Sequence, residues 1–212
     1  MATSEQLDTL RELGSATIYE AQGAFGAFDS AMKPIDPNVR LAGPAFTIDM
    51  RPADNLMFHY ALTKAKAGDV LVADAKGFME AGPWGDVLTL QAMKLGIAGL
   101  VINGCVRDAN LLISLNFPVF CRGLSIKGTG KNQPGRINVP VTIGGVTVQP
   151  GDIIVGDRDG LVAVPSAGLA EAIEKSLARE KKEEEQRKAI EGGATTAELL
   201  SLTATLERLG LV

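Results

Sequence analysis

Apolar and polar positions divide the chain into three stretches of different period. In the first, Leu7, Leu10 and Leu13 recur at helical spacing behind a Thr3–Gln6 pair that fits a capping box. This predicts a helix over Ser4–Leu13, ended by Gly14. A second short helix is predicted over 16–22, then a loop punctuated by Gly23, Gly26, Pro34 and Pro37. Residues 41–50 read as a strand interrupted at Gly43-Pro44. Beyond it, helix and strand patterns alternate. Asp54-Asn55 cap a helix over 56–66, DVLVAD is an apolar strand, and a helix over 86–95 is closed by Gly96. A buried strand over 98–103, a short helix over 109–115 and a strand over 118–121 follow. Such alternation is what parallel sheet layers produce.

The character then changes. Residues 122–139 are rich in Gly, Lys, Asn and Pro and read as a long loop. VTIGGVTV is a hairpin signal around Gly144-Gly145, and a second hairpin joins 153–155 to 161–164, so this part is predicted to be antiparallel. From Ser166 the pattern is helical, with Ala170, Ile173, Leu177 and Ile190 as an intermittent apolar stripe. The run REKKEEEQRK over 179–188 reads as a solvated face with i,i+4 pairing. Gly192-Gly193 break that helix, and a last helix over 195–209 places Leu199, Leu202, Leu206 and Leu209 on one face. The chain thus divides into an α/β body, 1–165, and a helical arm, 166–212, expected to pack on a neighbouring subunit. It contains no internal repeat.

With 212 residues, 46% of them hydrophobic, the chain can bury one sizeable core. Aromatics are only 5%, so that core must be built from Ala, Val, Leu and Ile. A formal net charge of −4 without a basic block argues against nucleic acid as a partner. Neither a signal peptide nor a bilayer-spanning apolar run is seen, so a cytoplasmic protein without a membrane partner is expected. Cys105 and Cys121 form no CxxC and read as buried thiols. His59 is the only histidine, which excludes a multi-histidine metal cluster within one chain. No nucleophile elbow, P-loop or dinucleotide signature occurs.

Two places can carry chemistry. Gly82-Pro83-Trp84-Gly85 precedes a helix start at Asp86-Val87-Leu88. The first amides of a helix lack intrahelical partners, so this junction suits a carboxylate or phosphate. A plain turn with Asp86 as N-cap is the alternative. Arg107-Asp108 follow a buried strand, at the carboxyl edge where open α/β sheets hold ligands. The arginine fork suits a carboxylate or ketone oxygen, and the aspartate suits Mg²⁺. Here the alternative is that Asp108 caps the next helix and Arg107 pairs with a nearby acid. Lys127, in IKGTGK, follows a strand and could face the same place, though its spacing does not establish this.

Asp86, twenty intervening residues and Arg107-Asp108 together match a D-X20-R-D pattern. With GDVLVAD, GIAGLVINGCVRD, LNFPVFCRGLSIKGTGK and GGVTVQPGDIIVGDRDGLVAVP around it, the chain resembles the RraA-like family from about Leu10 to the final helices. That family includes 4-hydroxy-4-methyl-2-oxoglutarate / 4-carboxy-4-hydroxy-2-oxoadipate aldolases. The resemblance implies an α/β fold, a swivelling β/β/α-type sandwich with a C-terminal helical extension, assembled as trimers or hexamers. It implies a divalent-metal pyruvate aldolase that cleaves a 4-hydroxy-2-oxo di- or tricarboxylic acid to pyruvate and a second oxo acid, with oxaloacetate decarboxylation as a side activity. Asp108 would bind Mg²⁺, with Mn²⁺ or Co²⁺ as alternatives. Arg107 would contact the pyruvyl group, Asp86 would hold water on the metal, and the loop amides of Gly85, Asp86, Val87 and Leu88 would take the carboxylate. Glu183, Glu184 or Glu185 of a neighbouring subunit would complete the site. The family also contains regulators that bind RNase E without catalysis, which is the alternative function.

Overall fold

The structure is a computed structural model and describes residues 2–211. Two helices open the chain, α1 (Ser4–Leu13) and α2 (Ser15–Ala21), and the Thr3–Gln6 capping box forms as expected. The central part runs β1 (Lys33–Pro34), β2 (Leu41–Asp49), α3 (Leu56–Ala61), β3 (Val70–Phe78), α4 (Asp86–Lys94), β4 (Gly99–Val106), α5 (Ala109–Ser114) and β5 (Val119–Cys121). Short strands follow: β6 (Gly123–Leu124), β7 (Arg136–Ile137), β8 (Val141–Ile143), β9 (Val146–Val148), β10 (Ile153–Gly156) and β11 (Leu161–Val164). A 3-10 turn at Ser166–Gly168 leads into α6 (Leu169–Glu191), α7 (Thr196–Leu199) and α8 (Thr203–Arg208).

The main sheet has the order β1-β5-β4-β3-β2-β10-β11, with β6 continuing beside β4, β7 beside β2, and β8–β9 as a separate hairpin. Strands β2 to β5 pair in parallel, whereas β1, β10 and β11 are antiparallel additions. The expected α/β sandwich with a C-terminal helical extension is therefore present.

Side-chain alternation explains why the parallel strands read as unbroken apolar runs. On β3, Leu71 and Ala73 face a core shared with Phe58, Leu88 and Leu112 of α3, α4 and α5, while Val70 and Val72 face a second core with Val141, Ile143 and Val148 of the hairpin. A strand buried on both faces has no polar side to show. A third core joins Leu10 and Ile18 to Val155, Val162 and Val164 and to Leu169 and Ala172 of α6. Ser176 is the last buried residue of α6, and Arg179, one turn on, still pairs with Glu20 of α2 at 2.7 Å, so the first half of α6 belongs to the body.

Four expectations change. Strand β2 is not interrupted at Gly43-Pro44. Residues 41–44 pair with β10 and residues 45–49 with β3, so the proline sits where β2 changes partner, and Ala45 supplies the next amide, to Asp152 O at 2.7 Å. Helix α3 stops at Ala61 because the amides of Thr63 and Lys64 turn to carbonyls three residues back. Strand β3 outruns the predicted 69–74 segment. It continues through a bulge with Lys76 and Gly77 at φ 62° and 67°, and the Lys76 ammonium bridges Asp49 and Asp74 at 2.6 Å each. The last predicted helix is two, α7 and α8, separated by Ser201 at φ 55°. None of its four leucines is buried in this chain, so no packing holds one continuous helix together.

Both cysteines are free and buried, as the sequence suggested. Burial pushes the Cys121 thiol up to about 11, which keeps it unreactive. The charged run on α6 forms the expected i,i+4 pairs, Arg179–Glu183 and Lys188–Glu184. Among the described residues no helix is long and apolar enough to cross a membrane.

Candidate active site

The loop between β3 and α4 is shaped around Trp84, which is fully buried. Its ring meets Phe58 edge-on at 4.9 Å and stacks on Phe117 at 6.2 Å. Its indole N–H donates to Thr89 Oγ1 at 2.7 Å, and the Thr89 hydroxyl donates to Gly85 O at 3.0 Å. A buried indole N–H without an acceptor would cost about 1–3 kcal/mol, so Thr89 fixes both the tryptophan and the loop end. From the other side, Asn55 Nδ2 donates to Pro83 O at 3.1 Å. Helix α4 therefore starts at a fixed point. Gly85 holds the N-cap position and Asp86 is the first helical residue, so Asp86 is not the cap. The first intrahelical bond is Thr89 N to Gly85 O, which leaves the amides of Asp86, Val87 and Leu88 without helical acceptors.

Strand β4 delivers Arg107 and Asp108 to this point. It runs to Val106, further than the predicted 98–103 segment, and the Arg107 amide donates to Trp84 O at 2.9 Å. Asp108 Oδ2 lies 3.4 Å from the Asp86 amide and 3.5 Å from Arg107 Nε. Gly85 makes this convergence feasible: a Cβ there would collide with Asp108 Oδ2 and come within 3.2 Å of Arg107 Nε.

Asp108 occupies the N-cap position of α5, but its side chain makes no capping bond, and its backbone is left-handed at φ 58° and ψ 33°. The capping alternative thus fails. The left-handed backbone is one that an aspartate tolerates, and its carboxylate turns to the α4 amide and the arginine instead. The alternative for Arg107 is met only by its long contact to Asp108. Both side chains stay open, at 45% and 34% exposure.

Other candidates fall elsewhere or play other parts. His59 is exposed in the last turn of α3. Lys127 does approach the loop, but through its carbonyl, which accepts from Gly82 N at 3.0 Å; its ammonium pairs with Glu80. Sequence reasoning missed Thr89 and read Asp54-Asn55 only as a cap. A lone Trp between glycines was the one available signal that this loop is built on a buried anchor.

Among the described residues no three His, Cys, Asp or Glu side chains converge on one point. A closed protein cage for a metal is therefore not what these residues build. Mg²⁺, however, usually takes only one or two carboxylates and keeps several waters and substrate oxygens. Asp108, partly exposed and with no partner closer than 3.4 Å, fits that role.

A partly parallel α/β sheet carries, at its carboxyl edge, a helix amino terminus facing an Arg-Asp pair, which is where open α/β proteins hold their ligands. The match of residues 15–163 to the family model "RraA-like: Aldolase/RraA" is more specific, and the chain belongs to the RraA-like family. It is 36% identical over 199 residues to a Halalkalibacterium halodurans protein named "Putative 4-hydroxy-4-methyl-2-oxoglutarate aldolase", covering 94% of this chain and 92% of that one. Its structure is similar to that of Streptomyces coelicolor RraAS2, described as an unusual member of the RNase ES inhibitor RraA protein family. There the TM-score is 0.80 at 29% identity, over 89% of this chain and 100% of that one. It is also similar to an uncharacterized protein from Pseudomonas syringae pv. tomato, with a TM-score of 0.81 at 31% identity, covering 91% and 95%.

The geometry makes Gly85 directly testable. Gly85→Ala is expected to leave the melting temperature within about 3 °C, because Asp108 can swing aside at the surface. Moving that carboxylate should cut turnover at least about tenfold, as small misplacements in a reacting constellation do. A variant with full activity would mean that the Asp108 position is immaterial.

Proposed function

We propose that this protein is a divalent-metal-dependent aldolase that cleaves a 4-hydroxy-2-oxo acid to pyruvate and a second oxo acid, with oxaloacetate decarboxylation as a side activity. The observation that carries the reading is the meeting of Arg107 and Asp108 with the first turn of α4, with Asp108 in a left-handed conformation and its carboxylate unused by its own helix. The name borne by the Halalkalibacterium relative supports it.

In this reading the amides of Asp86, Val87 and Leu88 bind the substrate carboxylate. The Arg107 fork lies at the C2 ketone oxygen. The C4 hydroxyl loses its proton to a water oriented by Asp86, the C3–C4 bond breaks, and its electron pair moves to the C2 oxygen as pyruvate enolate. Arg107 then faces charge that is larger in the transition state than in the substrate, which is the condition for accelerating the step. Asp108 would hold a divalent cation, Mg²⁺ first and Mn²⁺ or Co²⁺ as alternatives, which would supply Lewis-acid stabilisation of the enolate charge. Proton return to C3 completes pyruvate. Decarboxylation of oxaloacetate passes through the same enolate.

The site is open in one chain, and exposed apolar side chains flank it: Val87, Leu90, Leu111, Leu124 and Ile126. The arm after Ser176 exposes Leu177, Ile190 and Leu200. We take both as surfaces covered in a homotrimer or hexamer, where a glutamate from the neighbouring arm joins the site. Glu183 and Glu184 are paired on their own helix, whereas Glu185 makes no ion pair among the described residues and is the first to test.

The decisive assay is pyruvate release from oxaloacetate and from branched 4-hydroxy-2-oxo acids, with Mg²⁺ and with EDTA. Mg²⁺-dependent release that EDTA abolishes is expected. Release that survives EDTA and is trapped by borohydride would point to a lysine Schiff base instead. The RraAS2 neighbour favours a second reading, a protein-binding regulator of RNase E. Inactivity on every 2-oxo acid, together with capture of RNase E, would decide for it.

A further inference from the structure

We propose that Asp54 is a positioning residue that clamps the 123–135 strap against the site and so sets discrimination between substrates by their distal half. The proposal rests on the aldolase reading above.

The strap has little structure of its own. It carries Gly128, Gly130, Pro134 and Gly135, and only the pair Gly123–Leu124 lies in a strand. Its first half touches the site loop. Ser125 N donates to Val106 O at 3.0 Å and Gly82 N to Lys127 O at 3.0 Å. A Cβ on Gly82 would collide with Ser125 O, and Arg107 Cβ lies 3.0 Å from the same point. Strap, site loop and Arg107 stem are therefore in mutual contact.

The strap's second half is held by a buried carboxylate and by a backbone bridge at Gly130. Asp54 is 2% exposed. Its Oδ2 accepts from Asn132 N at 2.9 Å and Gln133 N at 3.2 Å, while its Oδ1 accepts from Leu56 N at 2.9 Å. Gly130 N donates to Ala53 O at 2.9 Å and Asn55 N to Gly130 O at 3.0 Å. The bond to Leu56, the first residue of α3, uses only Oδ1, so the second oxygen serves the strap. A buried carboxylate without an ion pair must be satisfied by such donors, which makes the clamp stiff. Asn55, the next residue, holds Pro83 of the site loop. The dipeptide thus grips the strap with one side chain and the site loop with the other.

Of the strap's two lysines, Lys127 pairs with Glu80 and Lys131 lies near Asp54, at the clamp end of the strap. The strap's contribution is shape, and shape bears on whatever part of the substrate extends beyond the pyruvyl group.

Two full-length variants test this. Asp54→Asn puts an N–H where an acceptor is needed. Gly130→Ala places a methyl 2.9 Å from Asp54 Oδ2 and disturbs the clamp from the strap side. In both, amide exchange over 123–133 should quicken at least about tenfold while β4 and α4 keep their protection. KM for a branched 4-hydroxy-2-oxo acid should rise about tenfold while kcat/KM for oxaloacetate stays within about twofold. Unchanged strap exchange in both variants overturns the clamp. Faster exchange with equal effects on the two substrates, or with none, overturns the discrimination role. A wild-type protein inactive on both substrates overturns the aldolase reading and the discrimination claim with it, and exchange alone then decides the clamp.

Discussion

Asp108→Asn is expected to fold as the wild type and to lose Mg²⁺-dependent pyruvate release by about a thousandfold, the several kcal/mol that a cation at a developing oxyanion supplies. Asparagine is the informative choice. The native backbone is left-handed at φ 58°, a region that Asn and Asp tolerate and Ala enters at about 1–2 kcal/mol. Alanine would mix a folding effect into the result, whereas Asn keeps shape and conformation and removes only the charge. Stability should barely move, because the native carboxylate makes no capping bond and its contacts, at 3.4 and 3.5 Å, are long. A melting temperature within about 3 °C of wild type is expected. Direct titration with Mn²⁺ gives a second readout free of turnover: binding should weaken at least about a hundredfold. Near-normal turnover with intact Mn²⁺ binding would remove Asp108 from the site.

Most of the fold was legible because its signals are local. The Thr3–Gln6 capping box and the Gly144-Gly145 hairpin need only a few neighbouring residues, and both form as read. Pro44 was misread because the cost of a proline depends on the strand opposite, and β2 changes partner at that residue. The split of the last helix at Ser201 was hidden for a related reason: an apolar face predicts a helix only if something covers it. In the site, the spacing from Asp86 to Arg107-Asp108 was readable because one helix and one strand return the chain to its start. The supports were not. Asn55 reaches Pro83 across 28 residues and Asp54 reaches Gln133 across 79, and neither side chain announces a distant partner. Local patterns and the D-X20-R-D resemblance therefore gave the candidate groups, while the residues that aim them emerged only from the packing.

Arg107→Lys separates charge from shape, and the expected result is that charge does not suffice. The guanidinium presents a planar fork fixed at its base, because the Arg107 amide is bonded to Trp84 O and its Cγ and Nε rest within 3.2 Å of the place a Gly85 side chain would occupy. A lysine ammonium is a point charge on a mobile stem and cannot reproduce two directed donors. Both Arg107→Lys and Arg107→Ala should lower kcat/KM by about a hundred- to a thousandfold, the cost of one lost oxyanion donor, with most of the loss in kcat. Folding should hardly respond: the side chain is 45% exposed with one long ion pair, an interaction worth about 0–1 kcal/mol at most. The backbone bond to Trp84 O survives either substitution, so the loop stays docked. If lysine restores nearly full activity, Arg107 acts only through its charge. If both variants raise KM and leave kcat intact, it binds the ground state alone and the transition-state role assigned to it is wrong.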